Sequence, residues 1–185
     1  MIILKKAIGL LEFKSIAKGM EATDEMLKAA DVELILATPI CPGKYISIVT
    51  GNVGAVKNAV EVGKSVGDIF TVDEYFIPNV SEKVFPAITA TSNPEKIASL
   101  GIIETISAVT SILVGDIAVK TSNVELLEIR IARGLGGKGF TIITGEVSAV
   151  QSAVKACENN LKETGGIVSS VVIASPAKDF IAKLL

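Results

Sequence analysis

The sequence contains no histidine. Without an imidazole the chain cannot build a Ser-His-Asp or Cys-His catalytic site or a histidine metal site, and it lacks the usual general base near neutral pH. This absence excludes much enzyme chemistry, and we expect no catalytic turnover from this chain.

Cysteine and aromatic residues are scarce. Cys41 and Cys157 are the two cysteines, too few for a disulfide framework or for a four-thiolate metal site within one chain. The aromatic residues are six phenylalanines and two tyrosines, so apolar burial must come mainly from Val, Ile, Leu and Ala.

Charge is nearly balanced, and long apolar runs are missing. The chain has 18 basic and 20 acidic residues and a net charge of −2, which gives no electrostatic basis for binding nucleic acid or an anionic membrane. Apolar runs such as 100–103 are far too short to span a membrane. Because the N-terminus leads into the first repeat with no signal peptide, we expect a cytoplasmic protein without nucleic-acid or membrane partners.

What the sequence does contain is a repeat of about 90 residues. Glu12 and Lys28 recur as Glu104 and Lys120, 92 residues later, whereas the pair Gly43-Lys44 recurs as Gly137-Lys138, 94 residues later. The second copy therefore has two extra residues between Leu126 and Gly137. The repeat predicts two domains of similar build, at residues 1–92 and 93–185.

Each copy reads in the order strand, helix, strand, strand, helix, strand. This order is typical of the ferredoxin-like split βαβ arrangement, an α+β fold with helices on one face of an antiparallel sheet. For the first helix we predict Ser15 as the N-cap and an inward face formed by Ile16, Met20, Thr23, Leu27 and Ala30.

The second helix of each copy has a clearer apolar face. We predict that Val56, Ala59, Val60 and Gly63 face inward, and that their counterparts are Val150, Ala153, Val154 and Cys157. The thiol of Cys157 is then a small buried apolar group.

Two glycine-rich motifs do not predict nucleotide binding. Gly134, Gly136 and Gly139 match G-x-G-x-x-G, but they lead into a predicted strand, whereas a dinucleotide fingerprint must open a helix. Neither Gly-Lys pair is followed by the Ser or Thr of a phosphate-binding loop.

Several polar residues have both an ordinary and a functional interpretation. Cys41 lies in a turn beside Pro42 and Gly43, either as an ordinary turn residue or as an outward-facing thiol. Lys44 and Lys138 fit solvated loop cations. Glu12 and its copy Glu104 fit a structural role near a helix N-terminus better than paired-carboxylate catalysis.

The residues together resemble the bacterial microcompartment shell proteins. The segments Met26–Val32 and Gly51–Lys57 are similar to that family's domain, and the similarity runs over nearly the whole chain, twice. Ser15–Glu21, Ile40–Lys44 and Gly136–Lys138 are similar to tandem-domain members of the family. The resemblance implies two tandem shell domains in a homotrimer that imitates a hexagonal tile.

The resemblance also implies a site. In such proteins the loop between the two middle strands lines the central pore, so three chains present three Cys41 thiols, with Pro42, Gly43 and Lys44 beside them, around one 4Fe-4S cluster per trimer. The second loop, with Gly134, Gly136, Gly137 and Lys138, is then the backbone that approaches the cluster closely. The edge lysines of shell tiles correspond to Lys28 and Lys120.

The implied role is structural, as a tile that passes electrons across the shell or delivers clusters. Its partners are other shell proteins and enclosed redox enzymes. Two alternatives stay open: a metabolite pore without a cluster, and a trimeric small-molecule-binding regulator similar to the PII proteins.

Overall fold

The computed structural model describes residues 7–94, 96–131 and 134–184. Both repeats fold in the predicted order of elements. The elements of the first repeat are β1 (Ala7–Phe13), α1 (Ile16–Ala29), β2 (Val32–Ile40), β3 (Lys44–Gly51), α2 (Val53–Gly67), a 3-10 turn (Asp68–Phe70) and β4 (Thr71–Ile77), followed by the short helix α3 (Val84–Ile88). Those of the second are β5 (Ser99–Thr105), α4 (Ala108–Thr121), β6 (Glu125–Ile131), β7 (Gly139–Gly145), α5 (Val147–Asn160) and β8 (Ile167–Ile173), followed by α6 (Lys178–Leu184).

Each repeat forms a four-stranded antiparallel sheet. The strand orders are β2-β3-β1-β4 and β6-β7-β5-β8, so the strand that begins each repeat lies in the middle of its sheet. The register shifts after Leu34 in the first sheet and after the equivalent Leu126 in the second. The predicted α+β fold with two tandem domains is confirmed.

The described residues form two compact units. The first contains 7–80, Ser107–Val109 and 134–137, and the second contains the remaining described residues. Helix α3 therefore belongs to the second unit although it follows the last strand of the first repeat. The predicted domain boundary between residues 92 and 93 was placed from the repeat in the sequence, and it stays a prediction.

Helix α1 begins as predicted but buries a different face. The Ser15 side chain accepts a hydrogen bond from the backbone N–H of Lys18 at 3.3 Å. The predicted inward face is wrong at Met20 and Leu27, which are 50% and 37% exposed. The buried positions are instead Gly19, Ala22, Thr23 and Met26.

The reason is a close approach between α1 and the sheet. A Cβ atom at Gly19 would lie 2.7 Å from the Cβ atom of Tyr45 in β3, so the helix meets the sheet at its smallest residue. The spacing of apolar residues predicted Met20 on the buried face. It could not predict the contact at Gly19, because a glycine does not count as an apolar side chain.

The predicted inward face of the second helix is confirmed in both repeats. Its residues are buried in α2 (Val56, Ala59, Val60, Gly63) and in α5 (Val150, Ala153, Val154, Cys157). In the first unit α2 packs with α1 and the sheet around Leu11, Phe13 and Met26.

The two repeats fill one equivalent core position with different residue pairs. In the first unit a Cβ atom at Gly63 would lie 2.6 Å from the sulfur of Met26. In the second repeat the equivalent residues are Cys157 and Ala118, both fully buried. The first repeat thus pairs a large residue, Met26, with a glycine, whereas the second pairs two small residues.

Among the described residues, no helix combines the length and apolar character needed to cross a membrane.

Candidate functional site

The loop between β2 and β3 carries Cys41 at the surface. Cys41, Pro42 and Gly43 are all exposed, and the Cys41–Pro42 peptide bond is cis. Gly43 has φ = +76°, the left-handed conformation that ends the turn. Among the described residues other than its two chain neighbours, no atom lies within 4 Å of the position of a Cβ atom there. The loop therefore presents its thiol to open space.

The equivalent loop of the second repeat is made of glycines with left-handed backbones. Gly134, Gly136 and Gly137 have φ values of +74°, +62° and +91°. The loop leads into strand β7 at Gly139, so the helix required by a dinucleotide fingerprint does not follow it, as predicted.

Gly137 brings the second loop against the first within the first unit. A Cβ atom at Gly137 would lie 3.0 Å from Pro42 Cδ, 3.2 Å from Lys44 Nζ and 3.3 Å from the carbonyl oxygen of Cys41. Any side chain there would crowd the turn that carries the thiol. The Gly137 backbone therefore lies against the cysteine loop within one chain, and the predicted approach of this loop to a cluster stays a prediction.

A buried carboxylate holds the first loop from behind. Glu12 Oε1 accepts a hydrogen bond from Lys44 Nζ at 2.7 Å, and Oε2 accepts one from the backbone N–H of Ala108 at 2.8 Å. The Glu12 side chain is fully buried and that of Lys44 is 20% exposed. All three residues belong to the first unit.

The position of Glu12 agrees with the structural interpretation from the sequence. Ala108 and Val109 are the first residues of α4, and the backbone N–H of Val109 also points at Glu12 Oε2, at 3.4 Å. A carboxylate is favoured there because the first N–H groups of a helix lack partners within the helix and carry partial positive charge. The helix concerned is α4, not the α1 that follows Glu12 in the chain.

The second repeat has the same ion pair in a more exposed form. Lys138 Nζ lies 2.5 Å from Glu104 Oε1, with side chains 45% and 35% exposed. Lys44 and Lys138 are thus paired loop cations. Only the first pair is buried, and it belongs to the loop with the cysteine.

The other cysteine has no access to solvent. Cys157 is fully buried in the second unit, and its thiol donates to the carbonyl oxygen of Val114 at 3.5 Å. Burial, helped by the negative charge of Glu158, raises the pKa of the Cys157 thiol to about 12. The predicted interpretation of Cys157 as a buried apolar group agrees with this environment.

The two predicted edge lysines lie at equivalent helix ends. Lys28 forms an ion pair with Asp24, and Lys120 Nζ lies 2.5 Å from Asp116 Oδ2. Hydrogen bonds to Asp24 and Glu25 raise the pKa of Lys28. Asp24 is 62% exposed and Asp116 is 4% exposed, so the two lysines have different surroundings.

Across the described part of the chain, no group of three or more His, Cys, Asp or Glu side chains could hold a metal ion. A site built on Cys41 therefore needs ligands from outside one copy of these residues. A groove of about 630 Å³ in the first unit is lined by Glu61, Asp68, Asp73 and Glu74 with a single lysine, Lys64, a charge pattern that does not favour a phosphate ligand.

Sequence reasoning named Glu12 and Lys44 separately and missed that they form a pair. A signal was present, because a glutamate on the first strand and a lysine after the loop recur together as Glu104 and Lys138. Reading the repeat for pairs of residues would have found both contacts.

Comparison with known proteins gives consistent matches for both repeats. A family model described as the BMC domain matches residues 7–80 and 99–176. The chain is 42% identical over 173 residues to the bacterial microcompartment shell protein PduT of Citrobacter freundii, and the match covers 94% of each chain. It is 36% identical over 87 residues to the shell protein PduA of Salmonella typhimurium, covering 44% of this chain and 93% of PduA.

Solved structures agree. A microcompartments protein from Desulfitobacterium hafniense matches with a TM-score of 0.87 at 45% identity, over 97% of this chain and 99% of that one. A fused permuted hexameric shell protein from the RMM microcompartment matches with a TM-score of 0.65 at 19% identity, over 87% of this chain and 83% of that one, and supports the fold alone.

Proposed function

Because the chain belongs to the BMC-domain family of microcompartment shell proteins, of the PduT type, we propose that it forms a homotrimeric, pseudohexameric tile in the shell of a bacterial microcompartment in the cytoplasm. A 4Fe-4S cluster is held at the centre of the trimer by Cys41 of each chain. The observation that carries the proposal is the exposed Cys41 loop, with the Gly137 backbone packed beside it and a buried ion pair behind it.

Unequal burial of equivalent sheet faces supports the trimer. On the side of the sheet away from the helices, Leu10 and Ile46 of the first unit are fully buried. Their counterparts in the second unit, Ile102 and Phe140, are partly exposed. This face of the second unit is therefore less completely covered at these two positions, although Leu100 and Ile142 beside them are buried.

The helices show the opposite inequality. Met20 on α1 is 50% exposed, whereas its counterpart Ile112 on α4 is fully buried. The two units thus expose different apolar residues, Met20 on a helix of the first unit and, in part, Ile102 and Phe140 on the sheet of the second. If a surface on one unit of a chain packs against a different surface on a neighbouring chain, the contact is head-to-tail. Such contacts form a closed ring when the rotation from one chain to the next divides a full turn evenly. Three chains supply six repeats, the number a hexagonal tile requires.

The donor chemistry at the loop fits an iron-sulfur cluster. Iron-sulfur clusters are held by cysteine thiolates, and Cys41 is the exposed cysteine of the chain. The three thiolates leave one iron to another ligand. The described residues leave open space at Gly43, and the ammonium of Lys44, which is paired with Glu12, lies close to the loop that carries the thiol.

Such a cluster supplies one-electron chemistry when bound. The residues of this chain position it: Cys41 binds, Gly137 leaves room beside the turn, and Glu12 fixes Lys44 behind it. The proposed role is electron transfer across the shell, or delivery of clusters, to redox enzymes enclosed by this and other shell proteins. The proposed role is structural, and the chain itself carries out no catalytic turnover.

Oligomeric state and assembly test the tile. Sedimentation of the purified protein should give a trimer, and electron microscopy of concentrated samples should show hexagonally packed sheets. A regulator of the PII type would instead stay dispersed and bind an effector. A monomer that never forms sheets would contradict the proposed tile.

The alternative of an open metabolite pore has one observation in its favour. Apart from the adjoining residues, no atom of the described part of the chain lies within 4 Å of a Cβ position at Gly43, Gly134 or Gly136, so both loops border open space there. Iron and sulfide analysis of anaerobically purified trimer separates the two functions, because a pore without a cluster contains neither.

A further inference from the structure

Two positively charged groups share the buried carboxylate of Glu12. Its Oε1 accepts a hydrogen bond from Lys44 Nζ, and its Oε2 accepts one from the backbone N–H of Ala108 and faces that of Val109. Those two residues begin α4, and the N-terminus of a helix carries a partial charge of about +0.5. Because one negative charge is shared between an ammonium and a helix end, the carboxylate balances the ammonium only in part.

The ammonium is the end of this ion pair that lies nearer the cysteine loop. Lys44 Nζ and the carbonyl oxygen of Cys41 lie 3.2 Å and 3.3 Å from one point, the Cβ position at Gly137. Lys44 begins β3 and pairs with Ile40 of β2, on either side of the turn. Glu12 lies on β1, the strand on the other side of β3. The positive end of the pair therefore faces the loop.

Other charges near this pair are farther from the loop or more exposed. Asp73 lies beside the buried carboxylate on β4, which is separated from β3 by β1, and it accepts a hydrogen bond from Ser107 Oγ at 2.5 Å. Lys14 follows β1 and is exposed, so solvent screens its charge. The side chain of Lys44 is 20% exposed, and partly buried charges are screened much less.

We propose that Lys44 gives the Cys41 loop a positive electrostatic potential that favours an anionic ligand, and that Glu12 is the positioning residue that holds the ammonium there. A cluster bound by thiolates is such a ligand, and for that ligand the inference rests on the proposed function. Because reduction adds negative charge, Lys44 then raises the reduction potential of the cluster.

The electrostatic potential at Cys41 can be measured without a cluster. Iodoacetate and iodoacetamide alkylate the same thiolate, but only iodoacetate is negatively charged. The ratio of their rates therefore reports the charge near the thiol separately from its intrinsic reactivity. The rates are measured at low salt on reduced protein from which a chelator has removed iron, by mass spectrometry of the Cys41 peptide.

The decisive variant combines Lys44→Met with Glu12→Gln. It removes one positive and one negative charge, so the net charge of the protein is unchanged and no buried charge is left unpaired. We expect the ratio of the iodoacetate rate to the iodoacetamide rate to fall at least about twofold. High salt should reduce this difference.

A matched control removes another ion pair of the first unit. Lys64 and Glu74 lie 2.8 Å apart and join α2 to β4, the strand at the opposite edge of the sheet from β2. Lys64→Met with Glu74→Gln should leave the rate ratio unchanged. Glu12→Gln alone should raise the ratio above that of the wild type, because the amide oxygen of glutamine still accepts from Lys44 and the opposing charge is gone.

The result separates this inference from the proposed function. A wild type that binds no iron contradicts the cluster, yet the rate ratio still tests Lys44. In protein that binds iron, a redox titration should give a lower reduction potential for the double variant at positions 12 and 44 than for the wild type. A double variant with the rate ratio of the wild type, or a Glu12→Gln ratio that does not rise, overturns this inference alone.

Discussion

Lys44 Nζ lies 2.7 Å from Glu12 Oε1, and the carboxylate it contacts is fully buried. In the second repeat the same two residue types, Lys138 and Glu104, form the same contact with about a third or more of each side chain exposed. The two repeats therefore contain the same ion pair in a buried and in an exposed form, and the exposed pair can serve as a control for the buried one.

We predict that Lys44→Met destabilises the protein far more than Lys138→Met. Removing one partner of a buried ion pair leaves an uncompensated charge and costs about 3 kcal/mol or more. An exposed pair contributes within about 1 kcal/mol. Urea unfolding of both variants at one protein concentration measures the difference. Equal losses would show that burial of Glu12 has no energetic consequence, and adding Glu12→Gln to Lys44→Met should recover part of the loss.

The second prediction concerns Gly137 and Gly134, which both have left-handed backbones. Replacing either by alanine costs about 1–2 kcal/mol from the backbone conformation alone. Only at Gly137 does the new Cβ atom also approach Pro42 and Cys41, so Gly137→Ala should lose more stability and retain less iron than Gly134→Ala. Thermal unfolding and iron content of the two variants check this. Equal stability and equal iron content would show that the approach of Gly137 to the cysteine loop does not matter for the site.

The third prediction transfers a residue pair from one repeat to the other. Gly63→Cys overpacks the core against Met26 and should cost roughly 1–3 kcal/mol. Met26→Ala opens a cavity and should cost roughly 2–5 kcal/mol. Together they recreate the pair Ala118 and Cys157, so the double variant should be more stable than the summed losses by at least about 1 kcal/mol. Additive losses in a double-mutant cycle would show that the two positions do not share space.

The fourth prediction concerns the buried thiol. Burial raises the pKa of Cys157 from an ordinary 9.0 to about 12, so the folded protein holds the thiol neutral where the unfolded chain ionises it. This stabilisation is present below pH 9 and is lost as the pH rises from 9 towards 12.

Two measurements check that Cys157 is buried and that its ionisation lowers stability as the pH rises. In a Cys41→Ser background a thiol reagent should not react with the native protein and should modify one thiol after denaturation. The stability of that variant should also fall more steeply above pH 9 than that of the protein with both Cys41→Ser and Cys157→Ala. Rapid labelling of the native variant would show that Cys157 is accessible.

The fold could be predicted from the sequence because the repeat fixed the order of elements twice. The α2 face was predicted correctly, since Val56, Ala59 and Val60 all project from one side of the helix. The α1 face was not, because the contact depends on Gly19 making room for Tyr45. In the second repeat the glycine is on the strand instead, where a Cβ atom at Gly139 would lie 2.9 Å from the Cβ atom of Ser111.

The candidate site was predicted in part. The exposed turn at Cys41 follows from the Pro and Gly around it. The approach of Gly137 depends on how distant parts of the chain meet, and the Glu12 contact with Ala108 joins residues 96 apart in the sequence. Periodicity and short motifs do not predict contacts between distant residues. The recurrence of one Glu and one Lys in both repeats was the one indication that they form a pair.

The measurement that tests the central claim most directly is the iron and sulfide content, with the visible spectrum, of anaerobically purified wild type and Cys41→Ser. We predict about four irons and four sulfides per trimer, and a brown colour, for the wild type. Cys41→Ser should lose both and remain a trimer by sedimentation. A Cys41→Ser trimer with full iron and sulfide, or a wild type with neither, would contradict the assignment.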